Sequence, residues 1–342
     1  MKYVSFKLLT KGKIPVIIKH SILIIGIFIL IIVDFSQIMI MSISAASGQF
    51  KGNLTEDMIR HIFLNNIAGY RKKYSAEFGD ELIMACDGKG YWRKDFFPYY
   101  KMKRAKNRAE SPLDWDFVFQ CINKIYDEIQ EYFPYKIVKV DGCEGDDVIA
   151  VLVDYFNKTR TKNAMEDSDS LDSLFGPTES EPEPILIISA DKDFLQLQNY
   201  PNVKQFSPLK KRFISEQNPN YSRYEKILKG DAGDGVMNIF SDDDVFAIDG
   251  KRQIPATAKK LEPLLESLLN TNTLPDNTND IIRRNFERNK KLIDLYDLQI
   301  SKELYNKIID VYEDANVAPK SKIYDYFLKY QMRNLLSQID KF

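Results

Sequence analysis

A chain of 342 residues, 44% hydrophobic and 28% charged, has the composition of an ordinary globular protein and the length of one large domain or two. Its formal net charge of -1 assigns no partner by itself. Only two histidines, His20 and His61, argue against a His-rich zinc site and weaken a Ser-His-Asp hydrolase, and three cysteines without CxxC spacing (Cys86, Cys121, Cys143) fit a reduced, cytosolic protein.

Taken in chain order, the first feature is the apolar run Ile22–Val33, ILIIGIFILIIV. At 12 residues it is short of the ~18 needed to span a bilayer. Its last third is expected to be a buried parallel strand ending at Asp34, behind an N-terminal extension, residues 1–24, with no assigned role. A membrane anchor is the alternative. Leu82–Cys86 reads as a second strand, ending at Asp87, and Trp115–Phe133 carries apolar residues at helical spacing. Ile137–Val140 is a further strand, Glu144–Phe156 a helix and Ile185–Ser189 a strand. Strand and helix in this rhythm predict βαβ units: an α/β fold with a mostly parallel central sheet flanked by helices, over residues 25–220. From Tyr221 the pattern is mainly helical, so a smaller helical C-terminal region is expected over 221–342. Met165–Pro184 interrupts the rhythm with seven acids, three prolines and no Lys or Arg, and a disordered acidic insertion is expected over 160–184.

The acids are placed unusually. Asp34 follows IIV, Asp87 follows LIMAC, and Asp191 and Asp193 follow LIISA. Glu144, Asp146 and Asp147 lie in DGCEGDDVIAVL, and Asp231 and Asp234 in KGDAGDGV. In an open α/β sheet the carboxyl ends of the strands form the crevice where ligands bind, so these acids are expected to converge there. Crowded carboxylates repel unless protonated or neutralised by a cation. An all-oxygen site suits Mg²⁺, with Mn²⁺ as substitute. Two such ions about 4 Å apart can hold an attacking water and a leaving oxygen in phosphodiester cleavage. Taken singly, each acid has a plainer explanation: a helix N-cap or a turn, or, for Asp146 and Asp147, a favourable helix start.

A basic, aromatic arm spans residues 91–110. Tyr91–Arg108 holds seven Lys or Arg against one Asp, interleaved with six aromatics. Positive charge follows a phosphate backbone and aromatic faces stack on unpaired bases, although Phe96 and Phe97 are expected to pack into the core. Lys101 and Arg104 are expected on one helical face, against nucleic acid.

The succession VDFSQI, CDGKGYWRKDF, YYKMKR, EGDDVIAVL, ISADKDFLQL, YPNVKQFSP, KILKGDAGD and KIYDYFLK resembles the structure-specific 5′-nuclease (flap endonuclease) family, in particular its ribonuclease H branch from T-even bacteriophages. The resemblance runs from about Ile31 to the C-terminus, apart from the acidic insertion. It implies that Asp34, Asp87, Glu144, Asp146, Asp191 and Asp193 form the inner and shared ligands of two Mg²⁺ ions. It implies that Asp147, Asp231 and Asp234 act near the second ion, some through water. Lys101 and Arg104 match the Tyr-Lys-x-x-Arg element of an arch over a 5′ single strand, and with Asp191 are the expected catalytic residues. The implied activity is a metal-dependent 5′→3′ exonuclease and flap endonuclease with ribonuclease H activity, removing RNA primers and adjoining DNA. The implied substrates are RNA–DNA hybrids and duplex DNA with a 5′ end or flap. A sliding clamp and a single-strand DNA-binding protein are implied partners of a monomeric, cytoplasmic chain with no membrane partner.

One departure concerns Gly235–Gly250, which lacks the family's helix-hairpin-helix glycine spacing and carries Asp242, Asp243 and Asp244. The basic stretches Lys251-Arg252 and Lys259-Lys260 are expected to replace part of its grip on duplex. Two other functions share the acidic pattern: a PIN-type single-strand ribonuclease, normally shorter and without the arm, and a non-catalytic DNA-junction binder.

Overall fold

The structure, a computed structural model, describes residues 30–49, 54–166 and 184–342. The expected extension over 1–24 lies outside these residues, as does the acidic insertion except for the helical backbone of 160–166 and Pro184.

A six-stranded sheet runs in the order β3-β2-β1-β4-β5-β6. Its strands are β1 (Leu30–Asp34), β2 (Glu81–Cys86), β3 (Lys136–Lys139), β4 (Ile185–Ile188), β5 (Val203–Ser207) and β6 (Arg212–Ile214). All neighbours are parallel except β5 and β6. β1 is central, and its residues are covered on both faces. This is why LIIV is continuously apolar rather than alternating. Parallel register sets Asp34 beside Ala85, so β1 and β2 deliver their terminal acids to the same edge. β5 and β6 extend the sheet beyond the strands legible in the sequence. Polar Lys204 and Gln205 interrupt the β5 pattern, and β6 is only three residues long.

Helices supply the crossovers: α1 (Phe35–Gln49), α2 (Glu56–Phe78), α5 (Trp115–Tyr132) and α6 (Gly145–Glu166), with two short helices in the arm, α3 (Trp92–Phe96) and α4 (Lys103–Ala109). Alternate residues of β1 divide between two cores. Ile31 and Val33 pack with α1, α2 and α5, whereas Leu30 and Ile32 pack with α6. The remaining helices are α7 (Pro219–Lys229), α8 (Ala258–Thr271), α9 (Asp280–Ile293), α10 (Lys302–Glu313), α11 (Ser321–Lys329) and α12 (Arg333–Leu336). They divide their packing. α7–α9 form a small core around Phe97 and Tyr100 at the root of the arm, while Ile308 and Tyr312 of α10 join the α6 face. α11, α12 and Phe342 close the opposite face. Among the described residues, no helix is long and apolar enough to cross a membrane.

One buried ionic cluster locks α11 to the sheet layer. Arg60 of α2 donates two hydrogen bonds of 2.7 Å to Glu128 of α5, and Tyr326 of α11 donates a third at 2.7 Å. Arg60 also pairs with Glu56 and Asp57, so losing Glu128 leaves the guanidinium partly compensated and strips the Tyr326 hydroxyl of its acceptor. Glu128→Ala is expected to lower unfolding free energy by ~1–3 kcal/mol in urea titration. A loss below ~1 kcal/mol would show that solvent reaches the cluster.

Candidate active site

Four chain segments bring acids to the carboxyl edge of the sheet. Asp34 ends β1, where its carboxylate accepts the Gln37 backbone N–H (3.0 Å) and the Ser189 hydroxyl (2.9 Å). Asp87 follows β2 and accepts the Ser36 hydroxyl and the Gly145 N–H, both at 2.7 Å. Glu144, Asp146 and Asp147 open α6, where the helix dipole favours negative charge. Asp191 and Asp193 leave β4 into a 3₁₀ helix, Lys192–Asn199, which Asp191 caps by accepting the Asp193 N–H at 2.9 Å.

These acids lie close enough to act on one another's charge. Burial raises the pKa of Asp34 to about 7, and Asp87 and Asp191 add to the rise, against the hydrogen bonds from Gln37 and Ser189. Burial also holds Asp146 well above the usual carboxylate range; Lys101 opposes this, while Asp34, Asp191 and Glu144 reinforce it. Asp34, Asp87, Glu144, Asp146 and Asp191 thus meet in one crevice, as their positions in the sequence imply.

The protein's own cations offset part of this charge. Lys101 is 7% exposed and pairs with Glu144, with Asp234 at 3.5 Å. Burial works against its charge, but Glu144 and Asp234 outweigh burial and hold the amine above its ordinary value. Arg104, half-exposed, pairs with Asp234 at 2.6 Å. Lys226 of α7 bridges Asp193 and Asp231, the latter at 2.9 Å. Burial raises Asp193, with Lys226 opposing and Asp191 assisting; for Asp231 the amine outweighs burial and the carboxyl is lowered. The D-x-x-D loop therefore joins the crevice, which is also lined by Arg93 and Tyr100. Its approach to the arm is close: Lys101 N–H donates to the Asp234 carbonyl at 2.7 Å. Gly235, at φ +75°, sits where a Cβ would lie 2.6 Å from the Tyr99 carbonyl.

Several expectations are corrected. Asp147 is fully buried and shares Arg93 with Glu144. One oxygen accepts the Glu144 N–H (2.9 Å) and the Trp92 indole N–H (3.2 Å). The other lies 2.8 Å from Arg93 in a charge contact rather than an aligned hydrogen bond. Both oxygens are engaged by neighbours within the protein. Lys101 and Arg104 do not share a helical face, because Lys101 precedes α4 with φ +53°. Its amine points inward to Glu144 because the buried carboxylates attract it more strongly than solvent does. Phe96 is 41% exposed, beneath the Lys291 amine, and only Phe97 enters the core. Lys251 pairs with Asp242 (2.9 Å) and Asp244 (2.5 Å), and Asp243 is matched by Arg284 and Arg288.

Three contributors escaped sequence reasoning: Lys226, Arg93 and Tyr100. Arg93 is 2% exposed and donates to Glu144 (3.1 Å) and to the Leu292 carbonyl (2.9 Å); Tyr100 donates to Glu144 at 2.8 Å. Lys226, five residues before Asp231, was the most legible of them.

The donor set is carboxylate oxygen throughout, which fits a hard divalent cation. Among the described residues, no three ligands are already closed around one point. Glu144, Asp193 and Asp231 are drawn to lysines instead. Asp146 is the freest of the set: no described residue donates it a hydrogen bond, and burial disfavours its charged form.

A model of the 5′-3′ exonuclease N-terminal resolvase-like domain matches residues 30–225, and one described as T4 RNase H, C terminal, matches 218–342. The chain is 32% identical to the ribonuclease H of Enterobacteria phage T4 over 320 residues, covering 91% of this chain and 95% of that protein. In fold it is similar to bacteriophage T5 5′-exonuclease with bound zinc, at a TM-score of 0.54 and 18% identity, covering 84% of this chain and 99% of that one. The T5 D15 flap endonuclease in complex with DNA and metal ions gives a TM-score of 0.53 at 18% identity, covering 83% and 99%. Carboxylates on the strand ends, a basic arm rooted among them and matches across both halves of the chain make this protein a member of the 5′-3′ exonuclease and ribonuclease H family of flap-type nucleases, enzymes that hydrolyse phosphodiester bonds.

Proposed function

We propose that this chain is a Mg²⁺-dependent 5′→3′ exonuclease and flap endonuclease with ribonuclease H activity, acting on RNA–DNA hybrids and on duplex DNA with a 5′ end or flap. RNA primers and the adjoining DNA of lagging-strand fragments are its substrates in this reading, in the cytoplasm of the cell where the DNA is copied. The observation that carries it is the convergence of Asp34, Asp87, Asp146 and Asp191 at one crevice beneath a basic arm. The phage T4 relative's name and the DNA and metal ions in the T5 relatives' descriptions support the same reading.

In this proposal Asp34, Asp87, Asp146 and Asp191, with Glu144 and Asp193, hold the first ion or share it. Asp231 and Asp234 serve the second. When bound, a pair of divalent ions supplies Lewis-acid stabilisation of phosphoryl charge and a more acidic water. The chain's own residues do the rest. Lys101 and Arg104 exchange their carboxylate partners for the scissile phosphate and offset charge in the transition state. Lys226 releases Asp193 and Asp231 as cationic charge arrives. Tyr91 and Tyr100 line the approach beside Lys101. The arm and the C-terminal helices favour this reading over a PIN-type single-strand ribonuclease, which normally lacks both.

The test is cleavage of a 5′-labelled RNA–DNA hybrid with Mg²⁺, beside flap, nicked and single-stranded substrates. Asp146→Asn is expected to slow cleavage by more than the ~10–100-fold typical of changes behind a metal ligand. A variant as fast as wild type, or a wild type that prefers linear single-stranded RNA, would overturn the proposal.

Asp34 also makes stability depend on pH. Its folded pKa of about 7 lies above its ordinary value of 3.8. Between these values the native state keeps a proton that the unfolded chain has lost. Metal-free stability is therefore expected to fall as pH rises from about 4 to about 7. Asp34→Asn should reduce that slope without abolishing it, because Asp146 and Asp193 are raised as well, and divalent ions should raise Tm more at pH 8 than at pH 5. A slope unchanged in Asp34→Asn would assign it to those other acids.

A further inference from the structure

Where β4 ends, the chain must leave the sheet and still present two acids in fixed positions. Ser189 makes the last ladder bond, donating its N–H to the Phe206 carbonyl at 3.2 Å. From there the sheet provides no further backbone partners, and side chains take over. Gln205 of β5 is completely buried. Its Nε2 donates to the Ser189 carbonyl at 2.9 Å and to the Asp191 carbonyl at 2.6 Å. Gln37, in the first turn of α1, accepts the Ala190 N–H through Oε1. The Ser189 hydroxyl accepts the Asp191 N–H at 3.1 Å while donating to Asp34.

The orientation of the Gln205 amide is fixed by chemistry. Two carbonyl oxygens face the same terminal atom, so that atom must be the NH₂, because an oxygen there would meet two acceptors. The other end, Oε1, is buried with no hydrogen-bond partner among the described residues. A buried amide that forgoes one partner carries a cost on the order of 1–3 kcal/mol, which a purely apolar residue of this shape would avoid. Phe206, Ser207 and Val203 already fix β5 in the sheet, so the strand does not need this amide in order to pair.

We infer that Gln205, on a strand that carries none of the acids, is the positioning residue that sets the place of Asp191 and Asp193 relative to Asp34, with Gln37 as its counterpart on the other side of the loop. Gln205 touches no substrate. It acts through the backbone of 189–191, pinned between β5 and α1 so that the distance between the β1 acid and the β4 acids is set before an ion arrives. Partners of metal ligands commonly work in this way, and their loss typically costs ~10–100-fold in metal affinity or activity.

The inference rests on the proposed metal-dependent nuclease. The experiment separates the two by measuring Mn²⁺ binding to the full chain by electron paramagnetic resonance, without substrate, alongside single-turnover cleavage. Gln205→Met preserves volume and removes both donors. Its apparent Mn²⁺ dissociation constant is expected to rise ~10-fold or more, with cleavage at subsaturating Mn²⁺ falling in step. A role limited to fold stability would lower Tm but leave the Mn²⁺ midpoint of the folded fraction unchanged. Gln37→Ala, at a half-buried site, is expected to shift the midpoint in the same direction and serves if Gln205→Met does not fold. Wild-type Mn²⁺ affinity in either folded variant overturns the inference. A wild type that binds Mn²⁺ but cleaves no nucleic acid instead defeats the nuclease reading and leaves the positioning role to the binding data.

Discussion

The organising constraint of this molecule is repulsion among carboxylates that the fold forces together. A parallel sheet brings its strand ends to one edge, and here several ends carry an acid. Each would be inexpensive in water. Partly removed from water, they resist ionisation, and Asp34 and Asp146 are held in that condition. A crevice of this kind is stable only with positive charge nearby, whether supplied by the chain or from solution.

The chain supplies it from two directions, the arm and α7. Arg93 and Lys101 come from the arm, Arg104 from the first turns of α4, and Lys226 from α7. These cations also join the parts of the protein mechanically. Arg93 reaches the last turn of α9, and Lys101 is tied through its backbone to the D-x-x-D loop. Because Phe97 and Tyr100 sit in the core built by α7–α9, the arm's root cannot shift without disturbing the helical region. The same residues that neutralise the acids therefore determine where the arm stands over them. Lysine ammoniums are compact point charges on flexible stems and can change partners. The more rigid arginine fork sits at the deepest point, where Asp147 has been recruited to hold it.

Much of this was legible in the sequence, for reasons that can be assigned. Strands buried on both faces produce unbroken aliphatic runs, so β1, β2 and β4 stood out, and the acid ending each run marked the functional edge. β5 was masked by Lys204 and Gln205, one exposed and one buried for its amide chemistry. Asp147 looked equivalent to Asp146, since one residue of separation at a helix start cannot show which side chain turns inward. Lys101 and Arg104 were placed on one helix from their spacing, but the positive φ at Lys101 follows from tertiary contact with Asp234 and Gly235. Arg93 acts across long sequence separations, as Lys226 does toward Asp193, and no local pattern announces such contacts.

The closure of the sheet's α1–α2–α5 face has a further consequence. Ile31, near the start of the described chain, and Phe342 belong to the same core, and Phe342 is only 1% exposed against Phe133 and Phe327. During synthesis the central strand emerges early, but the last side chain that seals its apolar face leaves the ribosome some three hundred residues later. Until then the aliphatic strand β1 and its neighbours have an open flank, the condition under which nascent chains are most prone to aggregate.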